Sequence, residues 1–398
     1  MKNRNSRSAT GGKNSSSIRI AQSCAADPRE AVREFHAGVK SQQPALVTFF
    51  CSSEYDLDAI AAEMRRLFAG LQVVGCTTAG EIGPAGYREH SLAGASFQAD
   101  SFHAVADILT GLQQFVAARA YALAQALLQR LEVSAPGARP ENSFALLMID
   151  GLSVREEEVA HVLQDALGKL PLIGGSAGDG MKFAKTQVYF DGHFHTDTAV
   201  LTLFSTPLPF KAFMTEHFAV TDERMMVTEA DTAHRIVREI NGRPALQEYA
   251  RLIGIDPAQV GSEHFAASPV VVRIGGTDYV RSIQKANADG SLTFYCAIET
   301  GMVLRLGRSG DLERNVAQTF EQLRETLGPL QGVIACDCIF RNLEMTRCGV
   351  KQQVGRIFQN NHAVGFSTYG EQYLGVHINQ TFTGIAIGAP GRPRHDGQ

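Results

Sequence analysis

Apolar and polar positions along the chain fall into one unit written three times. The unit opens on an apolar run of strand length, at 45–51, 144–149 and 333–338. A helical stripe comes next. In the first unit Leu57, Ile60, Ala61, Met64, Leu67 and Phe68 recur at i, i+3, i+4, i+7, i+10 and i+11. In the second the stripe is Val159, Val162, Leu163, Ala166 and Leu167, with Ser153 and Glu156 at the spacing of a capping box. In the third it is Val350, Val354, Ile357 and Phe358. A second apolar run then turns abruptly into small and hydroxyl residues. The copies read Val74-Gly75-Cys76-Thr77-Thr78-Ala79-Gly80-Glu81, Ile173-Gly174-Gly175-Ser176-Ala177-Gly178-Asp179-Gly180 and Val364-Gly365-Phe366-Ser367-Thr368-Tyr369-Gly370-Glu371. Two more β-patterned runs close each unit. The predicted unit is strand–helix–strand–hairpin. The 23 residues from Ser52 to Gly75, and again from Gly151 to Gly174, suffice to join parallel strands.

Each motif copy suits the mouth of a site, since glycine lets backbone approach a ligand and Ser and Thr hydroxyls offer donors without bulk. A tight strand exit packed on a neighbour asks for the same residues. Neither G-x-x-x-x-G-K-[ST] nor a G-x-G-x-x-G opening a helix occurs, so a phosphate loop is not expected.

Outside the units, 18–21 reads as a strand, 27–39 as a helix begun by Asp27-Pro28, and 116–131 as a helix. Ser205-Thr206-Pro207-Leu208-Pro209 disfavours regular structure and marks a boundary. The expected division is a tail at 1–17, domains at 18–209 and 210–390, and a tail at 391–398. Strands are expected at 211–220, 225–228, 235–240, 270–274, 279–282 and 292–296, and helices at 244–253 and 311–326. The fold class is α/β, with sheets flanked by helices.

Composition narrows the partners. A net charge of −4 with dispersed basic residues argues against nucleic acid. No run approaches 18 apolar residues, so no membrane span is expected, and the first 17 residues lack the apolar stretch of a signal peptide. Seven unevenly spaced cysteines make no disulfide framework. A cytoplasmic protein is expected, with homo-oligomerisation left open.

Four stretches resemble, in order, the signatures of FIST-domain proteins: Gly174-Gly175-Ser176-Ala177-Gly178-Asp179, Asn241-Gly242-Arg243-Pro244-Ala245, Ser367-Thr368-Tyr369-Gly370-Glu371 and Asn379-Gln380-Thr381. The resemblance spans roughly 20–390 and implies an N-terminal and a C-terminal FIST module with a sensory role. The stretch from Gly375 to Gly384 is similar to the NosP branch. That implies haem b, nitric oxide as ligand, and a partner histidine kinase or cyclic-di-GMP enzyme. A generic FIST protein carries histidine directly before Asn-Gln-Thr. Here Ile378 stands there and His377 one place earlier, which on a strand is the opposite face.

A haem sensor needs one axial ligand, usually histidine, in an apolar pocket. Among 12 histidines, His193 and His195 flank a turn, His90 and His103 flank the first hairpin, and His161 borders a helix stripe. His217 is the expected ligand, on a strand face with Phe213 and Ala219. His377, on a face with Asn379 and Thr381, and His234, beside Ile236 and Ile240, come next. A buried histidine bonded to backbone is the plain alternative for all three. Cys336, Cys338 and Cys348 match no zinc spacing and are expected as ordinary residues. Glu81, Asp179 and Glu371 end the motif copies and would cluster if the units converge, but turn caps are expected of them. With no G-x-S-x-G, H-E-x-x-H or C-x-x-C, no enzyme is expected. The expected function is a haem-based nitric oxide sensor. The alternatives are a FIST sensor for a small metabolite such as an amino acid, and an enzyme built on the acidic cluster.

Overall fold

The first unit runs β1 (Ile18–Ser23), α1 (Pro28–Val39), β2 (Pro44–Ser52), α2 (Leu57–Leu67), β3 (Val73–Thr78), β4 (Glu81–Gly83), β5 (Gly86–Arg88) and β6 (Leu92–Gln98). The second runs β7 (His103–Thr110), α3 (Ala117–Ser134), β8 (Ser143–Ile149), α4 (Glu156–Leu167), β9 (Leu172–Ser176), β10 (Val188–Phe190), β11 (His193–His195) and β12 (Thr198–Ser205). The third begins with β13 (Phe210–Thr215) and then departs from the pattern. The structure, a computed structural model, describes residues 16–274 and 276–390. Apart from Ser16 and Ser17, the two expected tails lie outside the described residues.

A module is inserted after β13: β14 (Phe218–Asp231), β15 (Ile236–Ile240), β16 (Arg243–Pro244), α5 (Ala245–Ile253), α6 (Ser262–Ala267), β17 (Val270–Ile274), β18 (Thr277–Val280), β19 (Ile283–Ala286), β20 (Leu292–Phe294) and β21 (Val303–Ser309). The third unit then resumes with α7 (Leu312–Leu327), β22 (Leu330–Cys338), α8 (Ile339–Arg347), α9 (Lys351–Asn360), β23 (Ala363–Thr368), β24 (Glu371–Tyr373), β25 (Val376–Ile378) and β26 (Phe382–Gly388).

The strand pairs β2–β3, β8–β9 and β22–β23 are parallel, as the helical crossovers require. Each unit orders its own strands alike: β1-β6-β2-β3, β7-β12-β8-β9 and β13-β26-β22-β23. The open edge of each sheet is closed by a hairpin from another unit. β10–β11 extends the first sheet, β24–β25 the second and β4–β5 the third. The exchange is cyclic, so the units succeed one another as around a three-fold axis.

The inner faces of all three sheets share one core, with Phe50 and Val74 from the first, Leu146 and Phe204 from the second, and Ile334 and Phe366 from the third. Outward faces are covered by α1 and α2, by α3 and α4, and by α7 and α9. Burial on both faces is why these strands read as continuous apolar runs rather than alternations. The module adds an antiparallel eight-stranded sheet. Its core, around Met225, Tyr249 and Leu304, continues into Ile339 and Phe340 of α8 and into Tyr369. The two ends of the module are pinned together where Gly310 N donates to the His217 carbonyl at 2.5 Å.

Several expectations are corrected. Ser153 and Glu156 form no capping box: α4 starts at Glu156, whose carboxylate pairs instead with Arg235 at 2.6 Å. The expected strand at 211–220 breaks at Glu216 and His217, and β14 then runs unbroken to Asp231. Helix α8 is not anticipated by the sequence pattern, and neither are β19 and β21. Among the described residues no helix is long and apolar enough to cross a membrane.

Candidate functional site

The motif copies bond to one another in a ring. Ala79 N donates to Ser367 O at 3.0 Å and Ser367 N to Gly80 O at 2.7 Å, joining the first copy to the third. Ser176 N donates to Gly370 O at 2.8 Å and Tyr369 N to Ser176 O at 3.2 Å, joining the third to the second. Gly178 N donates to Thr77 O at 2.9 Å and Gly180 N to Thr78 O at 3.2 Å, closing the ring. The first glycine of each copy serves packing, not a ligand. A Cβ at Gly75, Gly174 or Gly365 would press on the carbonyl of Phe49, Leu147 or Ala335 in the parallel neighbour strand.

The three acids do not act alike. Glu81 accepts from Ser91 N at 3.0 Å, from the Ser91 hydroxyl at 2.7 Å and from Thr78. Glu371 repeats this with Thr381 N, the Thr381 hydroxyl and Thr368. Asp179 sits one position earlier in its copy. It caps a loop instead, accepting from the backbone of Phe183 at 2.9 Å and of Ala184 and Lys185 at 2.8 Å. Burial pushes Glu81 up to about 7 and Glu371 up to about 8, against the pull of those hydroxyl and amide donors.

Beside the ring a cleft of about 350 Å³ opens between the ends of the first two copies and α8. That lies within the range of small-molecule sites. Its polar lining includes Glu54, Glu89, His90, Asp179, Lys182 and Asn342, together with serine and threonine hydroxyls. Glu54 meets both His90 and Lys182 at 3.4 Å. Asn342, 5% exposed, donates through Nδ2 to Ala79 O at 3.2 Å, and its Oδ1 has no partner. Sequence reading misses Asn342, because nothing in the pattern of 339–347 marks that segment as a helix on the motif ring.

The FIST N domain profile matches residues 45–243 and the FIST C domain profile residues 245–374. The chain belongs to the FIST family. FIST domains are sensory domains of signalling, and here the N-terminal match runs on into the inserted module. No curated protein matches the sequence. Among solved structures, the crystal structure of cyanuric acid hydrolase from A. caulinodans is similar at 8% identity and a TM-score of 0.34, over 94% of this chain and 99% of that one.

In this FIST protein the three nominated histidines lie apart and outside the lining of the cleft. His217 sits in the break between β13 and β14, so the strand face shared with Phe213 and Ala219 does not exist. Its ring meets charge: Arg341 Nη1 donates to Nδ1 at 2.8 Å, and Nε2–H donates to Glu344 at 2.7 Å. Arginine has only donors, which settles the tautomer. Burial, with Arg341 beside it, holds this histidine below its usual range. His377 on β25 takes a hydrogen bond from Gln372 Nε2 on Nδ1 at 3.1 Å, and burial pushes it down to about 4. Its ring lies so near Gly370 that a Cβ there would collide with it. His234 is exposed in a 3-10 turn ahead of β15, its ring 2.9 Å from the Asp231 carboxylate.

An axial ligand needs a free ring nitrogen facing a slot wide enough for a macrocycle. As arranged, none of the three offers both, and these residues do not fit a haem. Among the described residues no three His, Cys, Asp or Glu side chains gather to hold a metal ion. Cys336 and Cys338 are buried core residues and Cys348 is exposed.

Proposed function

We propose that this FIST protein senses a small polar molecule held in the cleft, and that α8 passes occupancy to the inserted module. The two-sided helix carries the reading. Ile339, Asn342, Leu343 and Thr346, spaced i, i+3, i+4 and i+7, line the cleft. From its other side Arg341 and Glu344 grip His217, at the root of the module. A ligand shifts the module only as far as it binds two settings of α8 unequally. The proposed output is a partner histidine kinase or cyclic-di-GMP enzyme that reads the module.

Hydrogen exchange tests the relay. A compound that raises the melting temperature should slow exchange in 339–347 and, in parallel, around 216–218 and 309–311. Protection confined to the cleft would sink the relay. The absorption spectrum of protein expressed with haem available is the companion measurement. A Soret band would select haem-based nitric oxide sensing instead, with His217 or His377 released from its present partners.

A further inference from the structure

We infer that the cleft takes an organic cation, an amine or amidine, rather than an anion or a phosphate ester; this rests on the cleft being the sensory site. The decisive feature is which hydrogen-bonding groups the ring leaves over. Small-residue loops bind anions through unspent backbone N–H groups, and here those groups are spent. Ala79, Gly178 and Gly180 donate to carbonyls of other copies, Gly80 N points at Thr78 Oγ1 at 3.4 Å, and Asp179 N donates to the Tyr369 hydroxyl at 3.2 Å. The motif therefore offers no nest.

Apart from the Ser52 and Ser53 hydroxyls, which can turn either way, what remains is acceptor. Asn342 Oδ1 is buried without a donor while its amide nitrogen is held by Ala79. Such an orphan is costly, and a ligand N–H brought against it recovers that cost. Glu54 and Glu89 stand at the rim with exposed carboxylates, Glu89 already paired with Lys351 at 2.7 Å and Glu54 the freer of the two for a ligand. Lys182 and His90, the basic residues of the lining, both lean on Glu54. An incoming ammonium replaces them there, whereas an incoming carboxylate meets an acidic rim. A zwitterionic amino acid would gain at one end and lose at the other.

Isothermal titration of the full chain at neutral pH with propylamine, guanidine and a butane diamine, each beside propionate and succinate, tests this. Amines should bind saturably and the carboxylates not at all. Asn342→Leu should weaken the amine by about tenfold or more. Glu54→Gln, at an exposed position that leaves the fold alone, should weaken it about threefold and flatten its salt dependence. Binding of carboxylates but not amines, lost in Asn342→Leu, would overturn the ligand class and leave the cleft reading standing. Amine binding indifferent to both substitutions would place the ligand elsewhere and overturn both. Failure of every amine to bind the unaltered chain would overturn the inference.

Discussion

Glu81 is sealed from water with hydroxyls on either side. One carboxyl oxygen accepts from the Thr78 hydroxyl, which also lies 3.3 Å from Cys51 O, and the other accepts from Ser91 N and from the Ser91 hydroxyl. Burial raises the acid to about 7, and its counterpart Glu371 to about 8, from 4.5, although the hydroxyl and amide donors pull the other way. The linkage runs one way. A carboxyl raised in the folded state contributes stability that is fully present below pH 4.5 and lost as pH rises through about 7 for Glu81 and about 8 for Glu371. At about 1.4 kcal/mol for each pH unit between 4.5 and those values, the two together cost on the order of 8 kcal/mol across that window. Urea melts at a series of pH values should show stability falling between those limits. In Glu81→Gln with Glu371→Gln the fall should flatten; a slope unchanged in the double variant would show that other groups set it.

Helix α8 holds a buried ion pair, Arg341 with Asp337 at 2.7 Å, next to His217 and Glu344. Breaking one partner strands the other in a dry core, whereas replacing both by apolar groups does not. Arg341→Met is expected to cost about 3–5 kcal/mol in urea denaturation, and Arg341→Met with Asp337→Leu clearly less. A double variant as unstable as the single would mean that the loss comes from packing. The same polarity hid the helix from sequence reading. Its buried positions include Arg341, Asn342 and Glu344, so no apolar stripe reports it. Helices α2 and α9 were legible because their buried faces are aliphatic and aromatic, at Ile60 and Met64 and at Val354 and Phe358. His217 misled for a related reason. The stretch 211–220 reads as one strand although the chain breaks there to let a histidine meet a guanidinium, and local pattern carries no trace of a partner 124 residues away.

Across the whole molecule, the repeat was written in the motif copies, but the destination of each hairpin was not. Local turn chemistry marks β10–β11 as a hairpin; only the distant edge of β3 decides where it pairs. One consequence is that the halves 18–209 and 210–390 complete each other. The first alone leaves β9 without β24 and β4 without β23, two unpaired edges of the kind that aggregate. Expressed separately, each half should be insoluble or oligomeric by size-exclusion chromatography. Co-expression should return a soluble one-to-one complex. A monomeric, cooperatively melting N-terminal half would contradict this.

The pairing of Ile82 with Gly365 also sets a schedule for the newborn chain. About 280 residues must be synthesised between the two, roughly 15–60 s at ribosomal rates of about 5–20 residues per second. Throughout that interval β4 and β5 have been made and their seat has not. The first unit emerges carrying a sticky ribbon whose partner strand is made about 280 residues later. Holding that ribbon apart from its siblings on the same polysome is a task for chaperones, set by topology alone.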